Sequence, residues 1–236
     1  MRRVRESGEY REEVREIRAE AERLRHEQNP ELAYSLFAVF AQRGTRLEYE
    51  RVYFERRRRL NTFALLALLD PDDQVAEHEL LDMIWSVCGE YTWCLPAHLG
   101  ADGHERAIDL FAAETGFTLG EIALLLQGRL PRLLQTRIEA EVNRRLFEPF
   151  LRNGPYEWET ARHNWAAVCA GSSAPPRCCS CGTRRPCAPS CSACMPASNA
   201  TCKASARTEP ARKGPGIGTT GSAILCILPI CSRGAR

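Results

Sequence analysis

The sequence predicts an all-α fold of paired helices over residues 1–172, followed by a tail of different character over 173–236. Three observations predict it. Apolar residues recur three and four apart through most of the first part. No strand-type alternation there runs longer than a few residues. Just after Ser172 the composition breaks: nine of the twelve cysteines fall beyond it, with a single acidic residue, Glu209. Short turns between helices of moderate length fit a bundle, a solenoid or a toroid, and periodicity does not choose among them.

The elements follow in order. Met1–Glu27 is dense in Arg and Glu with few apolar anchors, so it reads as a solvated helix held by charge pairs three and four apart. Glu31–Phe40 is a short apolar helix. Leu47–Leu69 is long, and Leu60, Phe63, Leu65, Leu66, Leu68 and Leu69 make its second half fit for burial. Asp70-Pro71-Asp72-Asp73 stops that helix and starts the next. Ala76, Leu80, Met83, Ile84 and Val87 then share one face, and Gly89 ends the helix. Glu90 to Gly103 is an aromatic-rich loop. Glu105–Thr115 reads as a helix closed by Gly116, and Thr118-Leu119-Gly120-Glu121 as the capping box of a new one. Leu130, Leu134, Ile138, Val142 and Leu146 continue the pattern past Pro131. Asn153-Gly154-Pro155 is a turn, and Trp158, Ala161, Trp165 and Val168 mark a last helix to about Ala170.

The totals exclude several classes. A net charge of +2 does not by itself call for a nucleic-acid partner. Residues 1–18 are charged and carry no apolar run, which argues against a secretory signal. Ala223 to Cys231 is apolar but too short to span a bilayer and contains Pro229. The expected location is therefore cytoplasmic, with no membrane partner, and a reducing cytosol disfavours a disulfide scaffold.

Two segments carry chemistry. The first is Glu90-Tyr91-Thr92-Trp93-Cys94-Leu95-Pro96-Ala97-His98. Indole and phenol rings stack on sugar C–H faces, and His and Glu bond to hydroxyls. The plainer reading, preferred on the residues alone, is that Trp93 and Leu95 plug the core. The second is Arg162-His163-Asn164-Trp165, where adjacent Arg, His and Asn suit a carboxylate; a surface Arg and His with a satisfied Asn is the plainer alternative. Arg56-Arg57-Arg58-Arg59 suits phosphate or acidic sugar, but such a run is more often one turn of a solvated helix.

From about Arg59 to Ser172 the chain resembles the helical domain of the heparinase II/III-like polysaccharide lyases. The resemblance rests on the segment from Glu90 to His98 and on His163-Asn164-Trp165-Ala166-Ala167-Val168-Cys169-Ala170-Gly171-Ser172. It implies an α/α toroid, here incomplete, and a parent activity of β-eliminative cleavage of uronic-acid glycans. In that chemistry the abstracted proton lies α to a carboxylate, so neutralising the carboxylate stabilises the developing charge. A Tyr or His takes the proton, and an acid protonates the leaving oxygen. The resemblance implies that Asn164 neutralises the carboxylate and that His163 is a catalytic neighbour. It also implies that Tyr91, Trp93, His98, Arg162 and Trp165 contact an acidic polysaccharide or oligosaccharide, with no metal and no cofactor. The family's Tyr base lies in a later Tyr- and Gly-rich motif, not seen here, so this chain is expected to be inactive or nearly so.

The tail has a simple codon-level reading. One base out of frame, Gly216 to Leu225 is compatible with Tyr-Trp-Asn-Tyr-Gly-Phe-Gly-Tyr-Phe, an aromatic motif of the family's kind. Cys178 to Cys187 becomes compatible with a leucine-rich helix, because TGC codons turn into CTG. Residues 173–236 are therefore expected to be a disordered, non-native tail from a single-nucleotide loss near Ser173. The competing reading is a helical binding or scaffold protein with a zinc-binding tail. Cys178-x-x-Cys181 and Cys191-x-x-Cys194 have the spacing for it, but the segment lacks apolar residues to pack around a metal.

Overall fold

The computed structural model describes residues 4–5, 7–100, 103 and 107–160. Among these the fold is all-helical, built of paired and packed helices, with no strand. The helices are α1 (Arg11–Arg25), α2 (Tyr34–Arg43), α3 (Leu47–Leu69), α4 (Gln74–Cys88), α5 (Leu110–Leu125), α6 (Arg132–Val142), α7 (Glu148–Asn153) and α8 (Glu157–Thr160). None is long and apolar enough to cross a membrane. The described residues fall into two units. One comprises those up to Glu90 with Leu125–Leu134, the other Tyr91–Leu124 and those from Gln135 onward.

In the first unit α3 is the central helix, packed by α1, α2 and α4. Its second half has apolar residues on every side and is buried almost throughout, as such a helix must be. Helix α4 packs on α3; Leu60, Phe63 and Ala67 of α3 are buried, and so are Ala76, Leu80, Met83, Ile84 and Val87 of α4. Asp73 starts α4: its Oδ1 accepts from the Ala76 N–H at 3.0 Å. Its other oxygen pairs with Arg25 at the end of α1. The Ala76 bond and Arg25 hold the Asp73 carboxyl below its ordinary value. Asp70, at the end of α3, takes both arms of Arg18 at 2.9 and 3.0 Å. Arg129 reaches the α3 terminus from the other side, donating to the Ala67 carbonyl at 2.7 Å. Cations at a helix C-terminus satisfy its orphan carbonyls and suit its dipole.

Two expectations from sequence change. The arginine run is not a solvated face. Arg56 and Arg59 are buried, and Arg57 is engaged with Glu90. Glu90 Oε1 accepts from Arg56 Nε and Arg57 Nη1, both at 2.8 Å, and Oε2 from Arg57 Nη2 at 2.6 Å. Arg56 also donates to the Pro30 carbonyl and to Ser86 Oγ, each at 2.7 Å. Arg59 donates to the Leu24 and Glu27 carbonyls at the end of α1. Only Arg58 pairs nearer the surface, with Glu55 and Glu20. The run is a knot joining α3, α4 and the segment between α1 and α2, and Glu90 sits inside it.

The second change lies in the other unit. Gly116 does not end a helix, and Thr118 does not start one: α5 runs through both. Gly116 is where another side chain crosses the helix. A Cβ there would overlap Leu146 Cδ1 and touch Trp93 Cζ3. The bare Cα makes room for packing, and packing outweighs the local break signal. The helix begins instead after Asp109, whose Oδ1 accepts from the Ala112 N–H at 2.7 Å. After α6 the chain makes a π-helical turn, Asn143–Phe147, which buries Leu146 and leads into α7. Trp158 in α8 is buried and donates from Nε1 to the Ile108 carbonyl at 3.0 Å.

Candidate functional site

The loop residues from Tyr91 to His98 and the π-helical turn form the candidate site, all within the second unit. The loop is tightly built. Thr92 Oγ1 accepts from the Cys94 N–H at 3.1 Å, and Asp109 Oδ2 accepts from the Leu95 N–H at 3.0 Å. Pro96–His98 then forms one 3-10 turn, with Pro at its first position, where a missing N–H costs nothing. These bonds set where each candidate side chain goes.

Tyr91 is exposed on the rim. Trp93 and Leu95 are buried, as the plainer reading of the loop has it. The guanidinium of Arg145 lies over the Trp93 ring, 4.8 Å from its centroid, a cation–π arrangement. Arg145 also bonds Glu141 through Nε at 2.7 Å and the Tyr91 carbonyl through Nη1 at 3.3 Å. Arg144, half exposed, reaches the same Glu141 oxygen at 2.7 Å. Burial works against the Glu141 charge, but the two guanidiniums outweigh it and hold the carboxyl low. Single π-helical turns recur at functional sites because the extra residue re-aims side chains. This one places adjacent arginines beside the indole.

Between the indole and these arginines is a recess of about 20 Å³, lined by Thr92, Trp93, Cys94, Ala107 and Ala112. That is room for one water. Trp93 is 1% exposed, and Arg145 lies over its ring. Cys94 is part of the wall: its Sγ donates to the Ala107 carbonyl at 3.3 Å, and burial pushes its thiol well up, so it stays protonated.

His98 is mostly covered. Its Nδ1 is 2.8 Å from Asp109 Oδ2, and its ring lies parallel to Phe111 with centroids 5.9 Å apart. Sequence reasoning missed Asp109, Arg144 and Arg145. The one available signal was that an Asp before an apolar helical run is an N-cap candidate.

Arg162, His163, Asn164 and Trp165 lie outside the described residues, as do Ala161, Val168 and every tail cysteine. Among the described residues no cluster of His, Cys, Asp and Glu is arranged to hold a metal ion. Chemically, the site offers an exposed phenol, an indole under a guanidinium, a half-exposed Arg144 and an imidazole held by a carboxylate. No protein-family model matches the chain, and no curated protein matches it either.

Proposed function

We propose that residues 1–172 are the helical, toroid-forming part of a glycan-acting protein. Its complete form would cleave uronic-acid polysaccharides or oligosaccharides by β-elimination, in the manner of the heparinase II/III-like lyases that the sequence resembles. One observation carries the reading. The loop that bears the resemblance, Glu90 to His98, brings Tyr91, Trp93 and the paired His98 into the same unit as Arg144 and Arg145. An exposed ring with guanidiniums in the same unit suits an acidic sugar: the sugar stacks on Tyr91, and its carboxylate takes a charge-assisted hydrogen bond. In this reading Arg144 meets the carboxylate, and Asn164 and His163 supply the neutralising and catalytic groups. Residues 173–236 are an out-of-frame reading of the segment that holds the Tyr base. Catalytic groups act as a unit, so the chain as printed binds but does not turn over.

The test is to sequence the source DNA across the codons for Ala170 to Pro176 and to express the frame-restored product. The expected result is one missing base and a product that generates the ultraviolet absorbance of unsaturated uronates, abolished by Asn164→Ala. An intact printed frame in the native genome, with a folded chain that binds no acidic glycan, overturns the proposal.

A further inference from the structure

Gly116 stands inside α5, where glycine is among the least favourable residues. The space its missing Cβ leaves offsets this. A Cβ there would overlap Leu146 Cδ1, and it would lie 3.5 Å from Leu146 Cγ and 3.6 Å from Trp93 Cζ3. Leu146 therefore sits in a notch at the bare Cα, 1% exposed, beside the indole. It belongs to the π-helical turn Asn143–Phe147 and follows the two arginines of the site. The Glu141 bonds do not account for that turn. They run to residues three and four ahead, which an ordinary α-helix also brings together. Leu146 instead ties the turn to α5.

We infer that Gly116 is a positioning residue: its notch seats Leu146 and so holds the π-helical turn in the winding that lays Arg145 on Trp93 and turns Arg144 to solvent. A π-helical turn, bonded i→i+5, is rare and occurs mostly singly inside α-helices, so a packing contact has to select it. With Leu146 pinned, the two side chains before it have fixed directions. Arg145 is 9% exposed, with its guanidinium 4.8 Å from the Trp93 ring centroid; Arg144 is 51% exposed. A side chain at position 116 displaces Leu146 and releases that arrangement. The placement of the arginines stands on packing alone. The carboxylate that Arg144 meets rests on the glycan reading.

Nuclear magnetic resonance on the full chain, labelled at leucine methyls and arginine nitrogens, separates the two parts. In the wild-type chain the Leu146 methyls are expected to show Overhauser contacts to Gly116 Hα; their absence overturns the inference before any substitution is made. The Arg145 Nε–H signal, assigned by its loss in Arg145→Lys, is expected to shift and to lose its protection from exchange with water in Gly116→Ala. Leu146→Ala, which has no overlap to accommodate, is expected to do the same. Asp73→Ala weakens the other unit and is expected to leave the signal in place. A folded Gly116→Ala or Leu146→Ala chain with an unmoved Arg145 signal overturns the inference, and so does an equal shift in Asp73→Ala. Both notch variants are expected to lose about tenfold in affinity for a tri-uronate, the size of one hydrogen bond, with no further loss in an Arg144→Ala chain. Full affinity in a chain whose Arg145 signal has shifted overturns the role toward Arg144. If the signal shifts as expected but the wild-type chain binds no tri-uronate, the glycan reading fails and the positioning role stands.

Discussion

Replacing Glu90 by Gln tests the buried charge knot most sharply. The carboxylate side chain is 3% exposed, and its partners Arg56 and Arg57 are 4% and 13% exposed. Three charge-assisted bonds of 2.6–2.8 Å hold it. An amide keeps the shape, but its NH2 group turns a donor toward a guanidinium, and two buried cations lose their counter-charge. Breaking a buried pair from one side costs about 3–5 kcal/mol. Arg56 keeps the Pro30 carbonyl and Ser86, so the lower end, about 3 kcal/mol, is expected. Urea unfolding followed by circular dichroism reads this as a midpoint lowered by about 1–3 M, given ordinary slopes. Replacing Arg56, Arg57 and Glu90 together by Met removes all three charges and recovers much of the loss. A Glu90→Gln chain within about 0.5 kcal/mol of wild type refutes the reasoning, because surface substitutions cost no more than that.

Other expectations follow from single contacts. Asp73→Ala removes the α4 cap and the Arg25 pair, and thermal unfolding registers a loss of about 0.5–2 kcal/mol. Gly116→Val drives a branched side chain into Leu146 and Trp93, and the same assay registers a loss of about 1–3 kcal/mol. Asp73 and Glu20 are held below their ordinary values, by the Ala76 N–H and Arg23 respectively. Their contribution is present above the unfolded carboxylate range, near about 4, and lost as pH falls through the lower folded values; a pH series of melting temperatures traces the decline. Glu121 has the opposite sign: burial raises it, so its ionisation opposes folding. Glu121→Gln raises the melting temperature at neutral pH, and the gain disappears in acid.

Much of the fold was legible because it rests on local chemistry. The stop at Asp70-Pro71 and the cap at Asp73 use residues within one turn of each other, and the α4 face follows from a regular 3.6-residue period. What sequence missed was set by partners distant along the chain. Arg56 and Arg57 meet a carboxylate 34 and 33 residues away, so four arginines in a row looked like a solvated face. Gly116 looked like a terminator because Leu146, thirty residues on, gives no local sign that it crosses there. The site divides likewise: the exposed Tyr91 and the buried Trp93 were both read from the loop. Asp109 and Arg145 entered only when folding brought them against His98 and Trp93.

The most direct test of the central claim is calorimetric titration of the chain with a tri-uronate and with the same sugar after its carboxylates are reduced to alcohols. The account predicts saturable binding of the acidic sugar, weakened by salt and by Arg144→Ala, and little or none of the neutral one. Equal affinity for both, or binding of neither by a folded chain, contradicts it.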